Sequence, residues 1–86
     1  MDEVLTEEQI AAHFSAMDDS VVLINAIVAD DSEEIAMHGS AAEVKLMITR
    51  NTDHLELQAE HDWYSDSSVS KTAYTDAVTA GKAYVG

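Results

Sequence analysis

An apolar stripe at helical spacing runs through the first third of the chain. Its members recur at alternating steps of four and three residues, which places them on one face of an α-helix: Ile10, Phe14, Met17, Val21, Ile24 and Val28. The stripe passes Asp18 and Asp19 without a change of spacing, so the pattern predicts one helix over residues 7–29. An alternative ends this helix at Asp18 and makes residues 21–28, which are rich in β-branched side chains, a buried strand.

The start of this helix has a clear local signal. Thr6 and Gln9 have the spacing of a capping box, in which a hydroxyl and an amide each satisfy a free backbone N–H. Leu5 and Ile10 occupy the positions of a hydrophobic staple. Two glutamates fill the first turn, where negative charge faces the positive end of the helix dipole.

The middle of the chain predicts a turn, a short segment and a longer helix. Residues 30–32 supply the turn and a cap, and Gly39 interrupts the segment that follows. Ser40 and Glu43 then repeat the capping-box spacing. From there we predict a helix over residues 41–63, with one face formed by Ala41, Val44, Ile48, Asn51, Leu55, Ala59 and Trp63.

The same region also carries an alternating pattern. Val44, Leu46 and Ile48 fall at every second position, as do Leu55, Leu57 and Ala59, with a polar segment at 51–53 between them, which would suit a β-hairpin. Strong helix formers dominate both runs, and no glycine follows Asn51 to favour a tight hairpin turn. The helix is therefore preferred, and the hairpin over 43–60 is the alternative.

The last segment predicts a helix of small residues after the polar residues 65–68. One face is formed by Ala73, Ala77, Ala80 and Tyr84, with Tyr74, Val78, Gly81 and Val85 beside it. Gly81 would either end this helix or admit a neighbouring backbone. Together the elements predict an all-α fold and a single helical domain over residues 1–86: an antiparallel helical hairpin with a shorter third helix packed across it.

Composition supports long helices and narrows the function. The 86 residues include no proline, no cysteine and only three glycines. The 17 acidic and 4 basic residues give a formal charge of −13, and residues 1–44 contain no lysine or arginine. This charge argues against direct binding to nucleic acid, which needs clustered basic side chains. We find no apolar run near the ~20 residues of a membrane span and no basic signal-peptide start, so we expect an intracellular or virion location and no membrane contact.

The reactive side chains predict neither an enzyme nor a metal protein. The residues three positions before the histidines are Ile10, Ile35, Asn51 and Gln58, so the Glu-x-x-His spacing of carboxylate-bridged metal sites is missing for His13, His38, His54 and His61. His54 and His61 would share a helix face and form at most a weak surface site. No nucleophile elbow, phosphate-binding glycine loop or dinucleotide fingerprint occurs. We therefore expect no catalytic residue, no metal site and no cofactor.

Three polar or aromatic residues are assigned structural roles. Asn51 lies on the apolar stripe of its helix, where a polar side chain commonly fixes the register of a helix–helix seam. Trp63 and Tyr64 follow at the end of that helix, and we expect them to cap the core.

The second half of the chain resembles a family of small uncharacterised proteins of marine tailed phages, including cyanophages. The resemblance rests on Asn51, His54-Leu55-Glu56-Leu57, Asp62-Trp63, Ala77-Val78 and Ala80-Gly81-Lys82-Ala83-Tyr84. The family has no assigned activity, so it implies a phage or marine metagenomic setting and no functional residues. The acidic first half has no counterpart in it.

Two functions are compatible with these features. The first is a small non-enzymatic structural or interaction protein that forms a homo-oligomer or joins a larger protein assembly. The first helix is apolar over more than half its circumference, so we expect the interface there, formed by Phe14, Met17, Val21, Leu23, Ile24, Ile27 and Val28. The alternative is an acidic inhibitor that mimics nucleic acid and occupies a basic cleft of a host enzyme.

Overall fold

The chain is all-α. The computed structural model describes residues 5–86, which form five helices: α1 Glu7–Ala29, α2 Ser32–His38, α3 Ala41–Ala59, α4 Asp62–Ser65 and α5 Thr72–Val85. Over these residues no strand occurs, so the all-α prediction is confirmed, and the strand at 21–28 and the hairpin at 43–60 do not form.

The start of α1 has the predicted capping box. The Thr6 hydroxyl accepts a hydrogen bond from the Gln9 backbone N–H at 3.2 Å, and the Gln9 side chain accepts one from the Thr6 N–H at 2.9 Å. Leu5 and Ile10, which occupy the positions of the predicted staple, both pack against the core. Because these local contacts satisfy free N–H groups at the helix start, α1 begins at Glu7. It continues past Asp18 to Ala29, as the unbroken stripe predicted.

The connection between α1 and α3 is also locally encoded. The Asp30 carboxylate accepts hydrogen bonds from the Ser32 hydroxyl at 2.7 Å and the Ser32 N–H at 3.0 Å, and these bonds lower the pKa of Asp30. Gly39 ends α2 in the left-handed conformation, with φ +86°, which glycine adopts without steric cost. The Ser40 hydroxyl then accepts from the Glu43 N–H at 3.2 Å and caps α3.

The predicted helix over residues 41–63 is wrong at its end. Helix α3 stops at Ala59, and the next two N–H groups, of Glu60 and His61, bond to carbonyls three residues back, each at 3.2 Å. Such bonds tighten the last turn and redirect the chain. Trp63 therefore lies on the separate short helix α4.

The core lies where the three longer helices, α1, α3 and α5, pack on one another. Its buried apolar side chains are Phe14, Met17, Ile24, Ile27, Val44, Ile48, Leu55, Trp63, Tyr64, Tyr74 and Ala77. Trp63 and Tyr64 thus belong to the core, as predicted.

Gly81 sits within α5 and does not end it. A Cβ atom there would lie 2.5 Å from Thr52 Cγ2, 3.2 Å from Ile48 Cγ2 and 3.4 Å from Ile24 Cγ2. The atoms that pack closely against Gly81 therefore belong to side chains of α1 and α3. The sequence had suggested a neighbouring backbone instead.

The buried face of α5 is rotated from the predicted one. Tyr74, Ala77 and Gly81 are its buried residues, whereas Ala73 is exposed. The large ring of Tyr74 packs against Phe14, with ring centroids 5.9 Å apart, and this contact turns the Tyr74 side of the helix inward.

Candidate functional site

Most of the residues predicted to form an interface on α1 are buried within the chain. The seven predicted residues were Phe14, Met17, Val21, Leu23, Ile24, Ile27 and Val28. Phe14, Met17, Ile24 and Ile27 are at most 7% exposed, and Val21 and Leu23 pack against the core. Helices α3 and α5 both pack on α1, so most of its apolar surface serves packing within the chain, while Val22 stays 68% exposed. Of the seven, only Val28 is a large exposed side chain, at 40%.

The outward face of α3 carries an apolar surface that was not predicted. Leu46 and Leu57 are 45% and 58% exposed. They are eleven residues apart, which is three helical turns, or about 16 Å along the axis. They point away from the buried residues of the same helix, Val44, Ile48, Thr52 and Leu55. Both therefore lie on the face that is ordinarily polar in a surface helix.

Two opposite charges lie between these leucines. Arg50 and Asp53 are both exposed. In the part of the chain that the structure describes, neither makes a side-chain hydrogen bond or ion pair, whereas Lys82 pairs with Glu56 at 2.9 Å. We call Leu46, Arg50, Asp53 and Leu57 the outer α3 surface.

His54 does not share a surface site with His61, because α3 ends between them. Its Nδ1 lies 3.1 Å from the Ser20 hydroxyl, and this hydrogen bond links α3 to α1. Ser20 is only 6% exposed, so the hydroxyl of this pair is buried between the helices. Sequence reasoning missed this pair, although Ser20 follows Met17 by three residues on the buried side of α1.

The other histidines make local contacts. His38 lies 3.2 Å from the Glu34 carboxylate one turn earlier. The ring of His13 stacks on Trp63, with centroids 4.9 Å apart, and His61 stacks on the same indole at 5.8 Å. Over residues 5–86, no group of three or more histidine or acidic side chains is arranged to hold a metal ion.

Asn51 does not fix a helix–helix seam. It is half-buried, and its side-chain amide donates to the Met47 carbonyl of its own helix at 2.8 Å. The neighbouring Thr52 takes the seam position, with 3% exposure, and its hydroxyl donates to the Thr49 carbonyl at 2.9 Å. Thr52 is buried in place of Asn51 because it lies four residues after Ile48 and eight after Val44, on the same face of α3.

An apolar groove of about 250 Å³ opens between the end of α3 and the start of α5. Its lining is Leu55, Glu56, Ala59, Tyr64, Tyr74, Thr75, Val78 and Thr79. The groove has one carboxylate, Glu56, which is already paired with Lys82. A carboxylate pair for general acid–base chemistry is therefore not present in this groove.

Comparison with protein-family models, curated proteins and solved structures finds no match.

Helix α1 alone, among the described helices, is long and apolar enough by length and composition to cross a membrane. The expectation that no stretch is long and apolar enough is therefore wrong for α1. The mean hydropathy of this helix is high enough although it contains Asp18 and Asp19. Core helices of globular proteins pass the same test, and α1 buries five side chains here: Phe14, Met17, Ser20, Ile24 and Ile27.

Two tyrosines of α5 bond to carboxylates at α1 and just beyond it. The Tyr74 hydroxyl donates to Asp18 at 2.7 Å, and the Tyr84 hydroxyl donates to Asp31 at 2.9 Å. Burial raises the pKa of both phenols, and the neighbouring carboxylates raise it further. These bonds hold α5 on α1, and nothing in the local sequence pattern signals them.

The stability contributed by Tyr74 should fall at alkaline pH. Above a pH of about 10 the unfolded chain loses this proton, while the folded chain keeps it because its pKa is raised. The contribution is fully present below pH ~10 and is lost as the pH rises further. Urea unfolding at pH values of about 8 and 11 should show a larger loss for the wild type than for Tyr74→Phe. Equal losses would contradict this.

Proposed function

We propose that this chain is a small, non-enzymatic structural or interaction protein that acts by helix packing and associates with itself. The supporting observation is the exposure of Leu46 and Leu57 on one face of α3. Together with the charges between them, these two leucines give the exposed face of α3 a surface on which a second helix can pack. The closed Ser20–His54 pair and the single, paired carboxylate of the groove support the absence of an enzymatic role.

We infer that α1 and α3 form an antiparallel hairpin with α5 against both. Three contacts support this arrangement. Phe14 near the start of α1 meets Trp63 beyond the end of α3, at 5.4 Å between ring centroids. Ser20 bonds His54 further along, and Ile24 and Ile48 both approach Gly81. In this arrangement the outer α3 surface lies on the side of α3 away from α1 and α5.

Charge opposes association and apolar burial favours it. Two copies at −13 each repel one another in low salt. At physiological ionic strength this repulsion is screened beyond about 8 Å. Burial of apolar surface contributes about 25 cal/mol per Å² and is not weakened by simple salt screening. We therefore expect the association to tighten as salt is raised.

Light scattering at micromolar to millimolar protein concentration across a salt series tests this proposal. The expected result is a mass above the 9.3 kDa monomer that increases with protein and with salt concentration. A 9.3 kDa species under all conditions would overturn self-association.

The acidic surface supports a second candidate, a nucleic-acid mimic that occupies a basic cleft. All fifteen carboxylates between residues 5 and 86 are exposed or half-exposed, so their field reaches solvent. A complex of this kind would weaken steeply as salt rises, which is the opposite of the trend expected for helix packing. A pull-down with a basic host enzyme at low and high salt separates the two candidates.

The resemblance of the second half to marine phage proteins supports a setting in an infected host cell or a virion. Under the structural proposal, the gene should lie among virion genes. A position among early host-takeover genes would favour the acidic inhibitor.

A further inference from the structure

The outer α3 surface has the spacing of a coiled-coil seam. Leu46, Arg50, Asp53 and Leu57 follow one another at steps of four, three and four residues. This is the spacing at which side chains of one helix insert between those of a partner helix. All four are exposed, and the core uses the opposite face of α3. A second helix could therefore pack here without disturbing the core.

The four residues are also symmetric in chemistry about the midpoint between residues 51 and 52. Each outer position is a leucine, and the two inner positions carry opposite charges. A two-fold axis through this midpoint, perpendicular to the helices, pairs position 46 with 57 and position 50 with 53. Such self-complementarity is the requirement for an interface between two identical subunits.

We propose that two copies of this chain associate through antiparallel packing of their α3 helices. Leu46 packs against the partner's Leu57, and Arg50 forms an ion pair with the partner's Asp53, each contact occurring twice. This inference rests on the self-association proposed above and specifies its surface and symmetry.

Charge decides the direction of packing. In a parallel pair, Arg50 would face the same arginine of the partner, and Asp53 would face the same aspartate. Like charges in one layer of a helix pair are destabilising. The antiparallel pair brings together opposite charges instead. Arg50 has no ion pair within the described chain, so it can bond the partner without breaking an existing contact.

The same register limits the strength of the dimer. One layer further out, Glu43 would face the partner's Glu60, and these like charges close both ends of the seam. Only the four residue pairs between these ends are favourable, namely the two leucine pairs and the two ion pairs. An interface this short falls in the class of weak, transient contacts, with dissociation constants on the order of micromolar to millimolar.

A charge-exchange experiment tests this geometry. Arg50→Glu makes both inner positions acidic, and Asp53→Arg makes both basic. Each variant alone should dimerise about tenfold more weakly than the wild type, because two attractive layers become repulsive. An equimolar mixture should restore the dimer as a heterodimer, because every inner layer again pairs opposite charges. Sedimentation equilibrium measures all three samples.

Matched controls separate the seam from net charge. Lys45→Glu changes the charge by the same amount as Arg50→Glu, but Lys45 lies on α3 away from the outer surface. Asp76→Arg does the same for Asp53→Arg on α5. Neither control should weaken the dimer about tenfold, and their mixture should not exceed the wild type. Circular dichroism of each variant checks that the exposed substitutions leave the helices formed.

A gain of affinity provides a second variant. Glu43→Gln combined with Glu60→Gln removes the like-charge layers and should tighten the dimer about threefold or more. If the wild type dimerises but neither charge exchange nor this variant changes its affinity more than the controls do, the seam is overturned and self-association stands. If the wild type is monomeric throughout, both proposals are overturned.

Discussion

Replacing Leu55 by alanine should lower the free energy of unfolding by about 2–4 kcal/mol. Leu55 is 1% exposed and belongs to the core between the long helices. Its truncation removes apolar burial and leaves a cavity that the packed neighbours fill only in part. Urea unfolding followed by circular dichroism, at a dilute protein concentration where the chain is monomeric, gives the value.

Leu57 offers a matched control two residues further along the same helix. It is 58% exposed, so Leu57→Ala makes the same chemical change where little surface is buried. We expect a change below about 0.5 kcal/mol. A loss below about half a kcal/mol at Leu55, or equal losses at both positions, would mean that the core lies on another face of α3.

Gly81→Ala should destabilise the protein, although alanine is the better helix former. The added methyl group would meet Thr52 Cγ2 at 2.5 Å, closer than nonbonded carbon atoms approach. Thr52 cannot easily rotate away, because its hydroxyl bonds the Thr49 carbonyl at 2.9 Å. Overpacking of about 1–3 kcal/mol is offset by about 1 kcal/mol of helix propensity. The expected net loss is up to about 2 kcal/mol.

Thr52→Ser tests this explanation as a second-site change. Serine retains the hydroxyl that bonds Thr49 and removes only the methyl group that blocks position 81. The double variant Gly81→Ala/Thr52→Ser should therefore lose less stability than the sum of the single changes, by about 1 kcal/mol. Additive losses in urea unfolding would show that the cost at Gly81 has another source.

Local signals were sufficient to predict α1. Its stripe and capping box involve residues within one or two turns of each other. The capping box forms as predicted, and the stripe is covered within the chain except at Val28, which is 40% exposed. The end of α3 was not predictable in this way, because Trp63 continues the stripe by four residues. Contacts distant in sequence, with His13 and Phe14, hold the indole on α4 instead.

The outer α3 surface could not be recognised from the apolar spacing that predicts the helices. A stripe such as that of Phe14 and Ile24 shows which face is buried, but not whether this chain or another covers it. Leu46 and Leu57 lie between core residues in the sequence, so apolar residues on two faces of α3 imitate the alternation of a strand. Only the packing of α3 against α1 and α5 shows which of these side chains face outward.

The most direct test of this account is the dilution of ¹⁵N-labelled protein from about 1 mM to about 20 µM, the range in which a short interface dissociates. The amide shifts should change with concentration at the outer α3 surface, over residues 43–60, while those around Phe14 and Ile24 stay constant. Shifts that are independent of concentration, or changes confined to α1, would contradict association through α3.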